Sequence, residues 1–316
     1  MDQLQMFGLP PEKQGPVRPA EVPAELAQLA ARLRPNLRLG TSSWSFPGWE
    51  GIVYDRRVSN ARLAKEGLAA YAAHPLFRTV GVDRAFYAPV PAETFAAYAA
   101  AVPADFRFLV KVLSEVVSPL RAPERGGGDN PRFLDPELCK RAVIEPFSAL
   151  GEKAGPLLFQ FPPFDVRLLG GPRAFAERLH AFLWALPKGL LYAVELRSEA
   201  ALSFDYAAAL ADLGVVHCLN VHPTMPAPSE QAARLAETYR EAPAVVVRWM
   251  LHAGLRYEAA KERYEPFDRL VDPDPGSRAD LGRLLSREGR PTYVVINNKA
   301  EGSSPLSAIE LARALT

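Results

Sequence analysis

The chain has 316 residues, enough for one large domain or two ordinary ones, and 48% are hydrophobic, which supports a sizeable core and excludes wholesale disorder. A formal net charge of +1 gives no global polyelectrolyte signal for nucleic acid or a membrane surface. Two cysteines, Cys139 and Cys218, with no CxxC, exclude a disulfide framework and fit a reducing compartment.

The opening residues, MDQLQMFGLPPEKQGP, lack the basic start and apolar run of a signal peptide. No stretch stays apolar and uncharged for the ~18 residues that a membrane span needs. A soluble cytoplasmic protein with no membrane partner is expected. Residues 1–24 are rich in proline and polar side chains and read as a flexible arm. The expected division is an N-terminal arm and linker over 1–35 and one folded domain over 36–316.

From residue 37 onward, strand-like apolar runs alternate with helical patterns. The runs are 37–41, 78–83, 106–111, 156–161, 190–196, 215–220, 244–250 and 292–297. The helical stretches fall near 61–74, 91–101, 137–150, 172–185, 204–213, 229–240, 278–287 and 305–315. In one of these, Phe175, Leu179, Phe182, Leu183 and Leu186 recur at helical spacing. Asp135-Pro136, Gly171-Pro172 and Ser304-Pro305 mark helix starts. Strand then helix, eight times over, is the pattern of a parallel α/β sheet, and this length suits a closed (β/α)8 TIM barrel. An open doubly wound sheet is the alternative.

Ligands of either architecture meet the carboxyl ends of the strands. The runs end, in order, on Ser42-Ser43-Trp44; Asp83-Arg84 and then Phe86-Tyr87; Lys111; Gln160; Glu195 and Arg197; Asn220 and His222; Arg248 and His252; and Asn297-Asn298-Lys299. Almost every run stops on a group that can ionise or hydrogen-bond, so a polar rim site is expected. Glu195, Lys111 and Asp83 are its candidate catalytic groups. Gln160, Arg197, Asn220, Arg248, Asn297 and Asn298 are candidate substrate contacts. The plainer reading is a structural ion network among Glu195, Arg197, Lys111 and Asp83. His217 and Cys218 lie inside a run and read as packed, whereas His74 and His180 read as solvated helix ends.

Trp44, Trp49 and Tyr87 lie on aromatic loops (40–51 and 86–91), suited to stacking on a sugar or base or to closing over the barrel. Lys299, Ser303 and Ser304 stand where barrels often seat a phosphate, although ordinary capping is the commoner use of such serines. Gly126-Gly127-Gly128 carries no GK[ST] and is no P-loop; it suits a mobile lid. No cofactor is expected. HExxH and clustered Cys/His are absent from the sequence, yet Asp83, Glu195, His222 and His252 leave a divalent metal open. Rim cations Lys111, Arg197 and Arg248 favour an anionic partner instead.

Several segments together resemble the YecE-like family, TIM-barrel proteins classed as a domain of unknown function. They are GTSSWSFPGWEGIVY (40–54), FYAPVPAETF (86–95) preceded by Asp83, FRFLVKV (106–112), GPLLFQFPPFD (155–165), AVELR (193–197) and VINN (295–298). The resemblance spans about 37–315 and implies a barrel with a rim site around Lys111, Gln160, Glu195, Arg197 and Asn298. It implies no reaction. The family's second strand usually reads Thr-Val-Glu-Ile-Asn; here Gly81 replaces the carboxylate and Asp83 the amide. Ser198-Glu199-Ala200-Ala201 replaces a His-Pro-Ser-Trp-like run, and Asn220 stands where an acid is usual.

The expected function is therefore an enzyme of hydrolase or lyase type acting on an anionic, phosphorylated or carbohydrate-like small molecule. A second possibility is a nucleic-acid-binding repair or replication protein. Gln3-Leu4-Gln5-Met6-Phe7 resembles the pentapeptide that docks on the bacterial sliding clamp, with Leu4, Met6 and Phe7 as anchors. Arg248, Arg256, Lys261 and Arg263, with Tyr257 and Tyr264, would line its DNA path. A third is a barrel that binds ligand without turnover.

Overall fold

The computed structural model describes residues 15–121, 126–252 and 255–316. Eight strands run in chain order: β1 (Leu37–Thr41), β2 (Phe77–Val82), β3 (Arg107–Lys111), β4 (Ala154–Gln160), β5 (Tyr192–Glu195), β6 (Val216–Val221), β7 (Val245–Trp249) and β8 (Thr292–Ile296). Each pairs in parallel with the next, and β8 returns to β1, so the sheet is a closed barrel. The expected (β/α)8 architecture is the one observed, and the open sheet is excluded.

Strand side chains alternate between the two faces of the sheet. Val110, Leu157, Phe159, Val194, Leu219, Val247 and Val294 face outward and join the helices in the main core. Leu109, Leu158, Ala193, Cys218, Val246 and Val295 form a second cluster in the lumen. The barrel interior is therefore packed rather than hollow. Two residues further along each of these strands, the inward position passes to Lys111, Gln160, Glu195, Asn220, Arg248 and Asn297. The same alternation carries β2 from Gly81 to Asp83. One period-two rule thus builds an apolar lumen and a polar layer at its carboxyl end.

Gly40 shows how tightly the barrel closes. A Cβ at that position would lie 1.9 Å from the Thr79 carbonyl oxygen, where the β1–β2 register shifts between Leu39 and Gly40. Only glycine fits this approach of two backbones.

Helices occupy all eight expected stretches, with some breaks. The stretch near 137–150 is interrupted: Pro136–Cys139 leads into a π turn at Lys140–Ile144, then Glu145–Phe147. Pro146 has no N–H to continue the regular ladder. Sequence reading missed Tyr257–Tyr264, a helix in the connection from β7 to β8.

The segment assigned to the arm contains ordered structure. Ala24–Arg32 is a helix whose Leu26 and Leu29, three residues apart, are buried in the main core. It packs on the C-terminal helix Ser304–Ala314. Ahead of it, Ala20 N–H donates to the Val53 carbonyl and Asp55 N–H to the Arg18 carbonyl. Among the described residues no helix is long and apolar enough to cross a membrane.

Candidate functional site

The polar layer is organised by Arg248. Its side chain has no exposure, and Nη1 donates to Glu195 Oε2 at 2.5 Å. Nη2 donates to both Asp83 oxygens at 3.1 and 3.2 Å. Arg197 Nε donates to the other Glu195 oxygen at 3.1 Å. The sequence therefore brings Asp83, Arg248, Glu195 and Arg197 into one ion network. Asp83 fills its place in that network although it departs from the family pattern.

This geometry changes the role of Glu195. Burial pushes its carboxyl up, but Arg248 and Arg197 outweigh burial and hold it down at about 2. A carboxylate so stabilised, fully buried and bonded at both oxygens, is a poor proton acceptor. Its two oxygens hold the guanidinium groups of Arg248 and Arg197. The opposing partners raise the affinity of Arg248 for its proton despite its burial.

Lys111 is different. It is 5% exposed, and its Nζ lies 4.0 Å from the centre of the Phe86 ring. Among the described residues Nζ makes no hydrogen bond or ion pair, because Asp83 and Glu195 are turned to the arginines. Burial lowers its pKa to about 8, against a partial offset from Asp83. Lys299 repeats the arrangement at the mouth, with Nζ 4.0 Å from the Tyr257 ring centre and 5.9 Å from that of Phe267. Burial and the nearby Lys261 lower its pKa as well.

Gln160 is the register neighbour of Glu195, and Asn220 that of Arg248. Asn220 Nδ2 donates to the Leu196 carbonyl at 2.7 Å, and its buried Oδ1 has no partner among the described residues. Asn297 Nδ2 donates to Ser42 Oγ, and its Oδ1 accepts from Lys299 N–H. Half-buried His222 is bonded to Thr224 through Nδ1. Burial and Arg197 lower its pKa to about 4. Exposed Tyr87 lies near enough to feel the charges of Asp83, Arg197 and Arg248.

Other expected contacts lie elsewhere. Trp44 is buried, donates to the Leu63 carbonyl and meets Tyr98 edge-on, while Trp49 is fully buried beside Phe46. Their apolar area is used to seal the β1 loop, so neither offers a face for stacking. Ser303 and Ser304 are also buried, and Ser304 donates through N and Oγ to Asn298 Oδ1. That contact makes Asn298 and Ser304 a capping pair, while buried Ser303 Oγ has no hydrogen-bond partner among the described residues. His74 is no solvated helix end: it is buried and stacked 4.0 Å from Phe77, and burial lowers its pKa to about 4. His180, partly exposed, meets Asp212 at 2.7 Å. His217 is packed as expected, bonded to Tyr206 and Gln231.

Among the described residues no three His, Cys, Asp or Glu side chains gather closely enough to hold a metal ion. Asp83, Glu195, His222 and His252 therefore do not form a ligand set. The suggested DNA path is interrupted: Arg248 is enclosed, Tyr264 is buried, and Arg263 is bonded to Asp272. Gln3, Leu4, Met6 and Phe7 lie outside the described residues. The sequence reading named Phe86 at the rim and Tyr257 on a DNA path, but not their places beneath Lys111 and Lys299. The adjoining Phe86-Tyr87 pair and the long β7–β8 connection were the available signals.

A cleft of ≈ 780 Å³ is lined by Phe86, Tyr87, Arg121, Pro162 and Phe164 among others, and meets the surroundings of Lys111 through Phe86. A second of similar volume lies on the outer wall, between the 24–32 and 304–314 helices. Neither cleft is lined by Asp83, Lys111, Glu195, Arg197 or Arg248.

A closed (β/α)8 barrel with a buried arginine–carboxylate layer at its carboxyl end defines the class of this protein. The chain belongs to the family described as protein of unknown function DUF72, whose model matches residues 38–316. This is the family expected from the YecE-like segments. A DUF72 family protein from Enterococcus faecalis V583 has a similar structure, with TM-score 0.61 and 22% identity over 88% of this chain and 95% of that one. A DUF72 family protein from Thermotoga maritima MSB8 gives TM-score 0.57 and 22% identity over 88% of this chain and 98% of that one. No curated protein matches the sequence.

Proposed function

We propose that the barrel rim binds and turns over a small anionic compound, phosphorylated or carbohydrate-like, in a reaction of hydrolase or lyase type. The observation that carries this reading is the charge balance. Arg248 and Arg197 are matched by Asp83 and Glu195, whereas Lys111 and Lys299 have aromatic rings but no ion pair among the described residues. A largely buried ammonium with no ion pair is costly, and an anionic ligand relieves that cost. Lys111, with its pKa lowered to about 8, is also the group suited to exchange a proton near neutral pH. Glu195, tied to two arginines, supplies position rather than proton transfer.

The test is thermal unfolding of the whole protein with increasing inorganic phosphate. Wild type should gain stability with concentration, as linkage requires of a ligand bound by the native state. Lys111→Met and Lys299→Met should each reduce the gain. An unchanged wild-type midpoint, or equal gains in all three proteins, would count against the reading. A barrel that binds without turnover is a second reading, favoured by the double pairing of Glu195. Binding of a compound that the protein never converts would select it.

A further inference from the structure

We propose that Lys111 is a covalent site, its amine condensing with the carbonyl carbon of an anionic aldehyde or ketone to form an imine. The inference deepens the anion-site reading and rests on it.

The argument starts from what surrounds Nζ. Lys111 projects from the carboxyl end of β3 in the inward row that begins with Leu109. A lysine kept for structural reasons would be bonded to a carboxylate, and two are at hand. Both are committed elsewhere: Glu195 to Arg248 and Arg197, and Asp83 to Arg248. The amine instead faces the Phe86 ring, with no protein oxygen bonded to it among the described residues. A largely buried amine against an aromatic ring and beside fixed cations holds its proton loosely and keeps its lone pair available. Arg197, partly exposed at the same end, and Lys299 at the mouth are placed to hold the anionic end of the ligand.

The condensation balances without any co-reactant. The deprotonated nitrogen adds its electron pair to the carbonyl carbon, and the C=O pair moves to oxygen, which takes a proton. The resulting hydroxyl takes a second proton and leaves as water while the C=N bond forms. In net terms one ammonium and one carbonyl give one protonated imine and one water. The water carries the carbonyl oxygen and two hydrogens from the ammonium. Protons pass between nitrogen and the departing oxygen through solvent at the barrel mouth, because both Asp83 oxygens are held by Arg248. The imine then draws electrons from a neighbouring bond, which favours lyase chemistry over simple hydrolysis.

The experiment uses pyridoxal 5′-phosphate as the anionic aldehyde and pyridoxal as its counterpart without the phosphate. Each is incubated with the whole protein, reduced with sodium borohydride and mapped by peptide mass spectrometry. Lys111 should be the principal adduct, with labelling by the phosphate-bearing probe about tenfold the greater, the worth of one charge-assisted contact. Excess inorganic phosphate should suppress it. Lys111→Arg should lose this adduct while keeping its circular dichroism spectrum. Labelling at Lys299 or at surface lysines with Lys111 unmodified would overturn the assignment. If phosphate stabilises the protein while Lys111 stays unlabelled, the covalent step falls and the anion site stands. If phosphate has no effect and both probes label Lys111 equally, the anion reading falls and so does the anionic class of ligand.

Discussion

Arg248 and Glu195 meet at 2.5 Å with no exposure of either side chain, which makes the pair the fixed point of the rim. Glu195 is bonded again by Arg197, and Arg248 again by Asp83, so neither charge is left alone. A buried pair contributes little net stability, but removing one partner strands the other. Arg248→Met should therefore cost about 3–5 kcal/mol in urea unfolding. The double variant Arg248→Met/Glu195→Leu should be more stable than Arg248→Met alone. Equal losses in the single and double variants would show that Glu195 is not the stranded charge.

Lys111 gives a pH signature of defined sign. Its folded pKa of about 8 lies below the ordinary 10.5. Between these values the unfolded chain binds more protons than the folded one, so this group makes stability rise with pH. The penalty for carrying its charge is full below pH 8 and fades toward 10.5, an effect of up to about 3 kcal/mol. Buried tyrosines and cysteines with raised pKa values act in the opposite direction. The difference between wild type and Lys111→Met isolates the lysine. That difference should move in favour of wild type as pH rises from 8 to 10, and a flat difference would refute the shift.

The fold was legible because eight apolar runs and their intervening helical patterns report burial directly. The rim was legible because a charged or amide side chain at a strand's carboxyl end breaks an otherwise apolar run, as at Lys111, Glu195 and Arg248. What each group does there was not legible. Glu195 looks like a catalytic acid until Arg248 and Arg197 are seen on its two oxygens. Trp44 and Trp49 look like a stacking platform until their loop folds back on Leu63, Tyr98 and Phe46. Such partners lie far apart in the chain, 53 residues between Glu195 and Arg248 and 165 between Asp83 and Arg248, and no local pattern announces them. The Tyr257–Tyr264 helix was missed because it is mostly polar, with only Ala260 and Tyr264 buried.

Two glycines on neighbouring strands predict different outcomes for the same substitution. At Gly40 a methyl group would meet the Thr79 carbonyl oxygen at 1.9 Å, against backbone that cannot yield without opening the β1–β2 pair. At Gly81 the nearest atom is the Ser42 carbonyl oxygen at 3.0 Å, which a small shift accommodates. Gly81→Ala should cost about 1–3 kcal/mol, the range for overpacking. Gly40→Ala should cost more, to the point of little soluble protein. Comparing both by expression and urea unfolding checks the order, and a Gly40→Ala variant as stable as Gly81→Ala would contradict the closeness of the two strands.

The amino-terminal helix predicts that the folded unit begins before residue 36. Leu29 is 4% exposed and Leu26 8%, both in the same core as the C-terminal helix residues Ala308 and Leu311. Removing residues 1–14 keeps the whole helix and sets the reference midpoint in urea. Removing residues 1–33 uncovers the apolar side of Ser304–Ala314 and should lower the midpoint sharply. Leu29→Ala, which keeps the helix and creates only a cavity, should cost about 2–4 kcal/mol. If removal of 1–33 were no more damaging than removal of 1–14, the helix would be an ornament on a barrel already complete. The Leu29 result separates that outcome from a compensating rearrangement: a cavity can destabilise only if the leucine is packed in the native state to begin with.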